Sequence, residues 1–145
     1  MKQIAFALQF KGSVAPGADG KLQAKTGSSS QAIKTVLGAA GIQATVESVA
    51  GDSATFESVA EISSDGSFVE SGTITYGKAG KVTFKTLGRG MGASPIDGLN
   101  RGAVVWEVTG GEGTLAGASG LITSTFTLDA SGHITDNHFA VLFVR

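Results

Sequence analysis

The chain has no cysteine, which excludes a disulfide framework and a thiolate metal site and leaves nothing that calls for an oxidising compartment. Proline occurs only twice and histidine only twice in 145 residues. The two histidines, His133 and His138, fall on opposite faces of one strand, so no metal centre is expected. The 11 basic and 12 acidic side chains are scattered, giving a net charge of −1 and no basic run that would track phosphates. Nucleic acid is not an expected partner. No apolar run approaches the roughly 20 residues that span a bilayer. The opening stretch MKQIAFALQFKG is interrupted by Gln9 and is too short for the apolar segment of a secretory leader, so the expectation is a cytoplasmic protein without membrane insertion. A positive mean hydropathy of +0.19 then has to be spent on a core, a cavity or a subunit interface.

What the chain has in quantity is glycine, 22 residues, set between short β-branched segments. Period-2 alternation runs through Ile4 to Phe10, Ala54 to Ile62, Ser67 to Tyr76, Lys81 to Leu87, Arg101 to Val108, Leu121 to Leu128 and His133 to Val144. Val82 and Phe84 point one way between outward Lys81, Thr83 and Lys85, which makes Phe84 a core or ligand-lining residue. Short turn signals, Ser64-Asp65-Gly66, Tyr76 to Gly80 and Asp129 to Gly132, join these runs as antiparallel hairpins. The expected fold is a single all-β domain over residues 1–145. Two segments break the alternation. Ser28 to Ser30 followed by Ile33, Val36, Leu37 and Ala40 predicts one short helix over Gln31 to Ala40. Gly88 to Asn100, with Gly-flanked Arg89 and with Pro95, predicts a long rim loop of the kind that acts as a lid.

The Gly-rich segment Val108 to Gly120, VTGGEGTLAGASG, contains a GxG, but no helix follows it, so a dinucleotide cradle is excluded. Its spacing resembles the signature of allene oxide cyclases and, more loosely, a Gly-rich segment of dirigent proteins, over roughly residues 67 to 128. That resemblance implies a closed antiparallel eight-stranded β-barrel with a mostly apolar cavity, a homo-oligomer (trimer or dimer), no cofactor, and a small hydrophobic molecule as partner. The plant cyclases carry a glutamate on their first strand, where Ile4 to Phe10 offers only Gln9. The chain therefore looks closer to the broader bacterial group whose barrels fold or hold a substrate.

The candidate catalytic residues are lone ionisable groups on apolar strand faces. Arg101, Ala103, Val105 and Glu107 share one face, Gly102, Val104, Trp106 and Val108 the other. If the first set is inside, Glu107 is a general base in apolar surroundings with Arg101 at the mouth to meet a carboxylate; if the second, Trp106 packs inward and Glu107 is solvated. Asp136 and His138, two apart, point the same way and suit either a carboxylate-oriented imidazole or a structural histidine. Glu70 shares its face with Phe68, Ile74 and Tyr76, as an acid or base with a phenol nearby or as half of an interfacial ion pair. Glu57 and Glu61, about 13 Å apart by strand rise, are too distant to share a proton.

The resulting expectation is a cofactor-independent cyclase or isomerase acting on a lipid-like, polyketide or phenolic substrate held in the barrel. The alternative is a non-catalytic binding or orienting protein using the same cavity. A third reading fills the barrel with Phe, Leu and Val and puts function at an oligomer surface.

Overall fold

The computed structural model describes the backbone of residues 1–145 and the side chains of all except residues 94–96. Eleven strands follow one another: β1 (Lys2–Pro16), β2 (Leu22–Ser28), β3 (Gln31–Gly38), β4 (Gly41–Ser48), β5 (Ala54–Ile62), β6 (Ser67–Tyr76), β7 (Gly80–Thr86), β8 (Gly90–Ile96), β9 (Leu99–Gly113), β10 (Ser119–Asp129) and β11 (His133–Val144). All pairings are antiparallel, and the order β1-β2-β5-β6-β7-β9-β10-β11 returns to β1, closing an eight-stranded barrel. Closure removes most sheet edges, the problem an open sheet of this size would have to solve otherwise. Among the described residues the only helical ones form two single 3₁₀ turns at Ala18–Gly20 and Gly77–Ala79, and no helix there is long and apolar enough to cross a membrane.

The alternation places Phe10, Phe56, Ile74, Val82, Phe84, Val104, Trp106, Ile122 and Leu142 inside, each at most 4% exposed. Two long strands bend to follow the barrel at glycines. A Cβ on Gly12 would lie 2.1 Å from the Lys25 carbonyl oxygen, and one on Gly72 2.1 Å from that of Glu57. Only glycine lets the neighbouring backbone come that close.

Two expectations are corrected. The segment expected to be a helix, Gln31 to Ala40, is instead β3 and the start of a hairpin with β4, in the register Ile33↔Val46 and Leu37↔Ile42. Ser28 does not cap a helix; its Oγ donates to the Ser29 carbonyl. The positions that read as a helical stripe also hold the alternating set Ile33, Thr35 and Leu37, and paired Gly38 and Gly41, the latter at φ 103°, close a tight turn that a helix would run through. The long loop expected over Gly88 to Asn100 is mostly strand: β8 pairs with β9 through a turn in which Asp97 and Gly98 both take positive φ, 61° and 73°. Two successive positive φ values define a type I′ hairpin. β8 also meets β6 at Ser67↔Met91, so β7 and β8 together form one interrupted stave of the barrel.

The Gly-rich segment ends β9, turns, and starts β10. Thr109 is a bulged residue, since Thr83 pairs with Gly110 and Phe84 with Val108. The turn folds back over one end of the barrel and buries Leu115 and Ala118. A Cβ on Gly111 would sit 2.1 Å from the Leu115 carbonyl oxygen, so this lid over the core depends on a glycine there.

Candidate functional site

The barrel interior holds two carboxyl groups among aromatic rings. Trp106 is 1% exposed and faces inward, which settles the parity of β9: Glu107 points outward, its carboxylate 3.8 Å from Lys85 Nζ, and Arg101 lies on the surface with its guanidinium 3.5 Å from the Leu99 carbonyl. Neither residue belongs to the interior cluster.

Glu70 does. Its Oε1 accepts from Ser58 Oγ at 2.5 Å and its Oε2 from Trp106 Nε1 at 3.1 Å. Burial raises its pKa to about 7, opposed by the Ser58 hydrogen bond, with Asp136 raising it and Trp106 lowering it further. Asp136 on β11 repeats the device: Oδ1 accepts from Ser124 Oγ at 2.5 Å, and Oδ2 lies 2.9 Å from His138 Nε2. The two serines hold geometrically equivalent places. Glu70 pairs with Ala60, two residues beyond Ser58 on β5, and Asp136 pairs with Phe126, two residues beyond Ser124 on β10. Each is a diagonal cross-strand contact on the inner face of a hairpin.

His138 is enclosed, its ring centroid 4.4 Å from Phe10, 5.0 Å from Trp106 and 5.5 Å from Phe56. Its Nδ1 has no hydrogen-bond partner, an arrangement suited to the tautomer that carries hydrogen on Nε2 and donates it to Asp136. Phe84 stacks on Phe56 and Trp106, at 5.4 and 4.7 Å, and completes an aromatic plug across the middle of the barrel. Phe84 therefore fills the core.

Below the plug is a cavity of about 70 Å³. Glu70, Asp136, Ser124 and Trp106 stand at its inner end, and Phe68, Phe126, Leu22, Leu128 and Ile134 form apolar walls. Phe68 and Phe126, ring centroids 6.0 Å apart, narrow it. At about 30 Å³ per water in the liquid, the space suits the end of a small molecule, well short of the 300–1,000 Å³ typical of a drug-sized pocket.

The other sequence candidates lie elsewhere. Arg89 is exposed and donates to Ser67 Oγ at 2.9 Å and Ser63 Oγ at 2.7 Å; with the Ser67 hydrogen bonds as the larger cause, it helps hold the Asp65 carboxyl below its usual range. Tyr76 is at the opposite end, its ring 5.2 Å edge-on from Phe6, its hydroxyl unpartnered, and its pKa raised by burial. His133 pairs with Asp129 at 3.1 Å on the surface. Among the described residues no three His, Asp or Glu side chains are grouped to hold a metal. Sequence reasoning missed Ser58 and Ser124. Their signal was inward parity, Ser58 sharing a face with Ala54 and Phe56, and Ser124 with Ile122 and Phe126.

These features define a closed eight-stranded barrel with an interior carboxyl pair. Compared with protein-family models, curated proteins and solved structures, the chain matches none.

Proposed function

We propose that the chain is a cofactor-independent acid–base catalyst of the isomerase or cyclase type, acting on a small apolar substrate whose reacting end enters the cavity beside Glu70. The observation that carries this reading is Glu70 itself: a carboxyl with pKa about 7, beside Asp136 and Ser124 at the inner end of a pocket whose walls are mostly apolar. A base poised near neutral pH both takes up and returns a proton effectively. Glu70 removes a proton from the carbon next to an activating carbonyl and delivers it to another carbon, or to the closing ring, with Ser58 and Trp106 holding the carboxylate in place. No redox partner is required. The size of the cavity restricts the inserted part to a few heavy atoms, so the rest of a longer substrate lies in the mouth against Leu22, Leu128 and Ile134.

The test is exchange of carbon-bound hydrogen for deuterium in butanone and cyclohexanone, followed by NMR in deuterated water. Saturable exchange that falls about a hundredfold or more in Glu70→Gln supports the reading. No exchange above buffer by the wild-type protein, or equal exchange by the variant, removes Glu70 as a base.

A second reading, a binding or orienting protein for a hydrophobic small molecule, is favoured by one observation: all four carboxyl oxygens of Glu70 and Asp136 already have a partner inside the protein. Saturable binding of the same ketones without exchange is its outcome.

A further inference from the structure

β1 is paired on both sides for only part of its length. Lys2 to Ser13 pair with β11, but β2 joins the other side only from Lys11 to Pro16, because β2 ends at Ser28 and the chain leaves the barrel wall to make the β3–β4 hairpin. At the point of departure the Gln31 side chain takes over the ladder. Its Oε1 accepts from the Gln9 backbone N–H at 2.9 Å and its Nε2 donates to the Gln9 carbonyl at 3.0 Å, as a neighbouring strand would. In an antiparallel strand backbone groups alternate sides, so the N–H and C=O groups of Gln3, Ala5 and Ala7 face the same way as those of Gln9, toward an edge that no strand covers.

Exposed edges are usually blunted by charge, proline or a bulge. From Gln3 to Phe10 this edge has none of them. An apolar cleft of about 370 Å³ opens beside it, with Ile4, Phe6, Leu8, Val49, Leu115 and Leu142 among its walls. The outer face of the barrel next to β1 carries apolar residues, with Phe139 55% and Leu121 46% exposed and Phe143 and Val141 half-buried. The hairpin anchored at Gln31 presents Ile33, Leu37, Ile42 and Val46 on one face, 41–77% exposed, with no second layer over them. A two-stranded hairpin is marginal alone.

We propose that the β1 edge from Gln3 to Ala7 is where a second copy of this chain pairs, antiparallel, across a twofold axis at Ala5. The edge is complementary to itself. A twofold at Ala5 sets Gln3 opposite the second copy's Ala7, Ile4 opposite its Phe6 and Lys2 opposite its Leu8, so that all the uncovered groups find partners and no like charges oppose. Alanine at the axis, exposed on the outer face, leaves room for the backbones to approach. Strand pairing alone falls short of the about 800 Å² per partner of a stable interface. The outward apolar residues Leu121, Phe139, Val141 and Phe143 and the exposed apolar residues of the hairpin are the surface that would supply the remainder. The second copy is favoured over an unrelated peptide because one edge meets both halves of the requirement, in register and in charge.

Sedimentation equilibrium across the micromolar range tests it. Wild-type protein is expected to be a monomer–dimer mixture. Ala5→Pro removes an N–H that faces the open edge and takes none from the ladder with β11, and a twofold interface loses it twice, weakening dimerisation about thirtyfold. Ala5→Lys places two like charges at the axis without touching the core and is expected to be monomeric; it carries the test if the proline variant loses its near-ultraviolet circular dichroism. Wild-type protein that stays monomeric, a trimer, or a dimer of unchanged strength in folded Ala5→Lys each overturns the proposal.

Discussion

Trp106 Nε1 donates to Glu70 Oε2 at 3.1 Å, joining β9 to β6 past the intervening stave β7. This bond leaves Glu70 with a donor on each oxygen. Trp106→Phe keeps most of the ring contact with Phe56 and Phe84 but removes the donor. The expected cost is about 1–3 kcal/mol, larger above pH 7, where Glu70 is charged, than at pH 5. Urea unfolding at the two pH values measures it, and an equal loss at both would detach the effect from Glu70.

Glu70 also makes stability depend on pH, with a sign opposite to that of most carboxylates. Its folded pKa, about 7, lies above the ordinary value of 4.5. Between those values the folded state binds the proton more tightly than the unfolded chain, so this group's contribution is fully present below about 4.5 and is lost as pH rises through 7. The total is about 3 kcal/mol at most. Glu70→Gln is expected to flatten the fall in stability between pH 5 and 8, read from thermal or urea unfolding.

Ser124 is 1% exposed and donates to Asp136 at 2.5 Å. Ser124→Ala leaves a buried carboxyl oxygen without its donor and costs about 1–3 kcal/mol. Because Asp136 then depends on His138 alone, the His138 ring resonances are expected to shift in NMR spectra. An unshifted ring would mean that serine, carboxylate and imidazole do not act as one chain.

Gly72 tests barrel curvature. Its missing side chain would meet the Glu57 carbonyl at 2.1 Å and Ser58 Cα at 2.8 Å, both backbone. Gly72→Ala is expected to destabilise by about 1–3 kcal/mol and, by displacing β5 at Ser58, to alter the titration of Glu70. Alanine at exposed Gly38, where nothing lies within 4 Å, is the control.

The alternation that was legible in the sequence is the part written in local order: Ile4 to Phe10 or Lys81 to Lys85 bury alternate residues because a closed sheet has one inside. β9 was not legible in the same way. Val104 and Val105 are alike, so the strand's own residues do not decide between Trp106 and Glu107; what Trp106 packs against, Phe56, Phe84, His138 and Glu70, is distant in sequence. The β3–β4 hairpin was misread because Ile33, Val36 and Leu37 satisfy a helical stripe, while the information that chose a strand is the pairing of Gly38 with Gly41. Ser58 and Ser124 escaped notice because a hydroxyl on an inward position says nothing until its diagonal partner, a carboxylate 12 residues on, is known to share the face. The Gly-rich segment was informative about backbone, as glycine is, and silent about the carboxyl pair.

Carbon-13 NMR titration of the glutamate side-chain carboxyls, with Glu70→Gln to assign the resonance, measures whether Glu70 is a base poised at neutral pH. One carboxyl is expected to titrate near pH 7 and to vanish in the variant. A Glu70 carboxyl that titrates near 4.5 would mean that the cavity does not hold it as a base poised at neutral pH, and would contradict the proposed acid–base role.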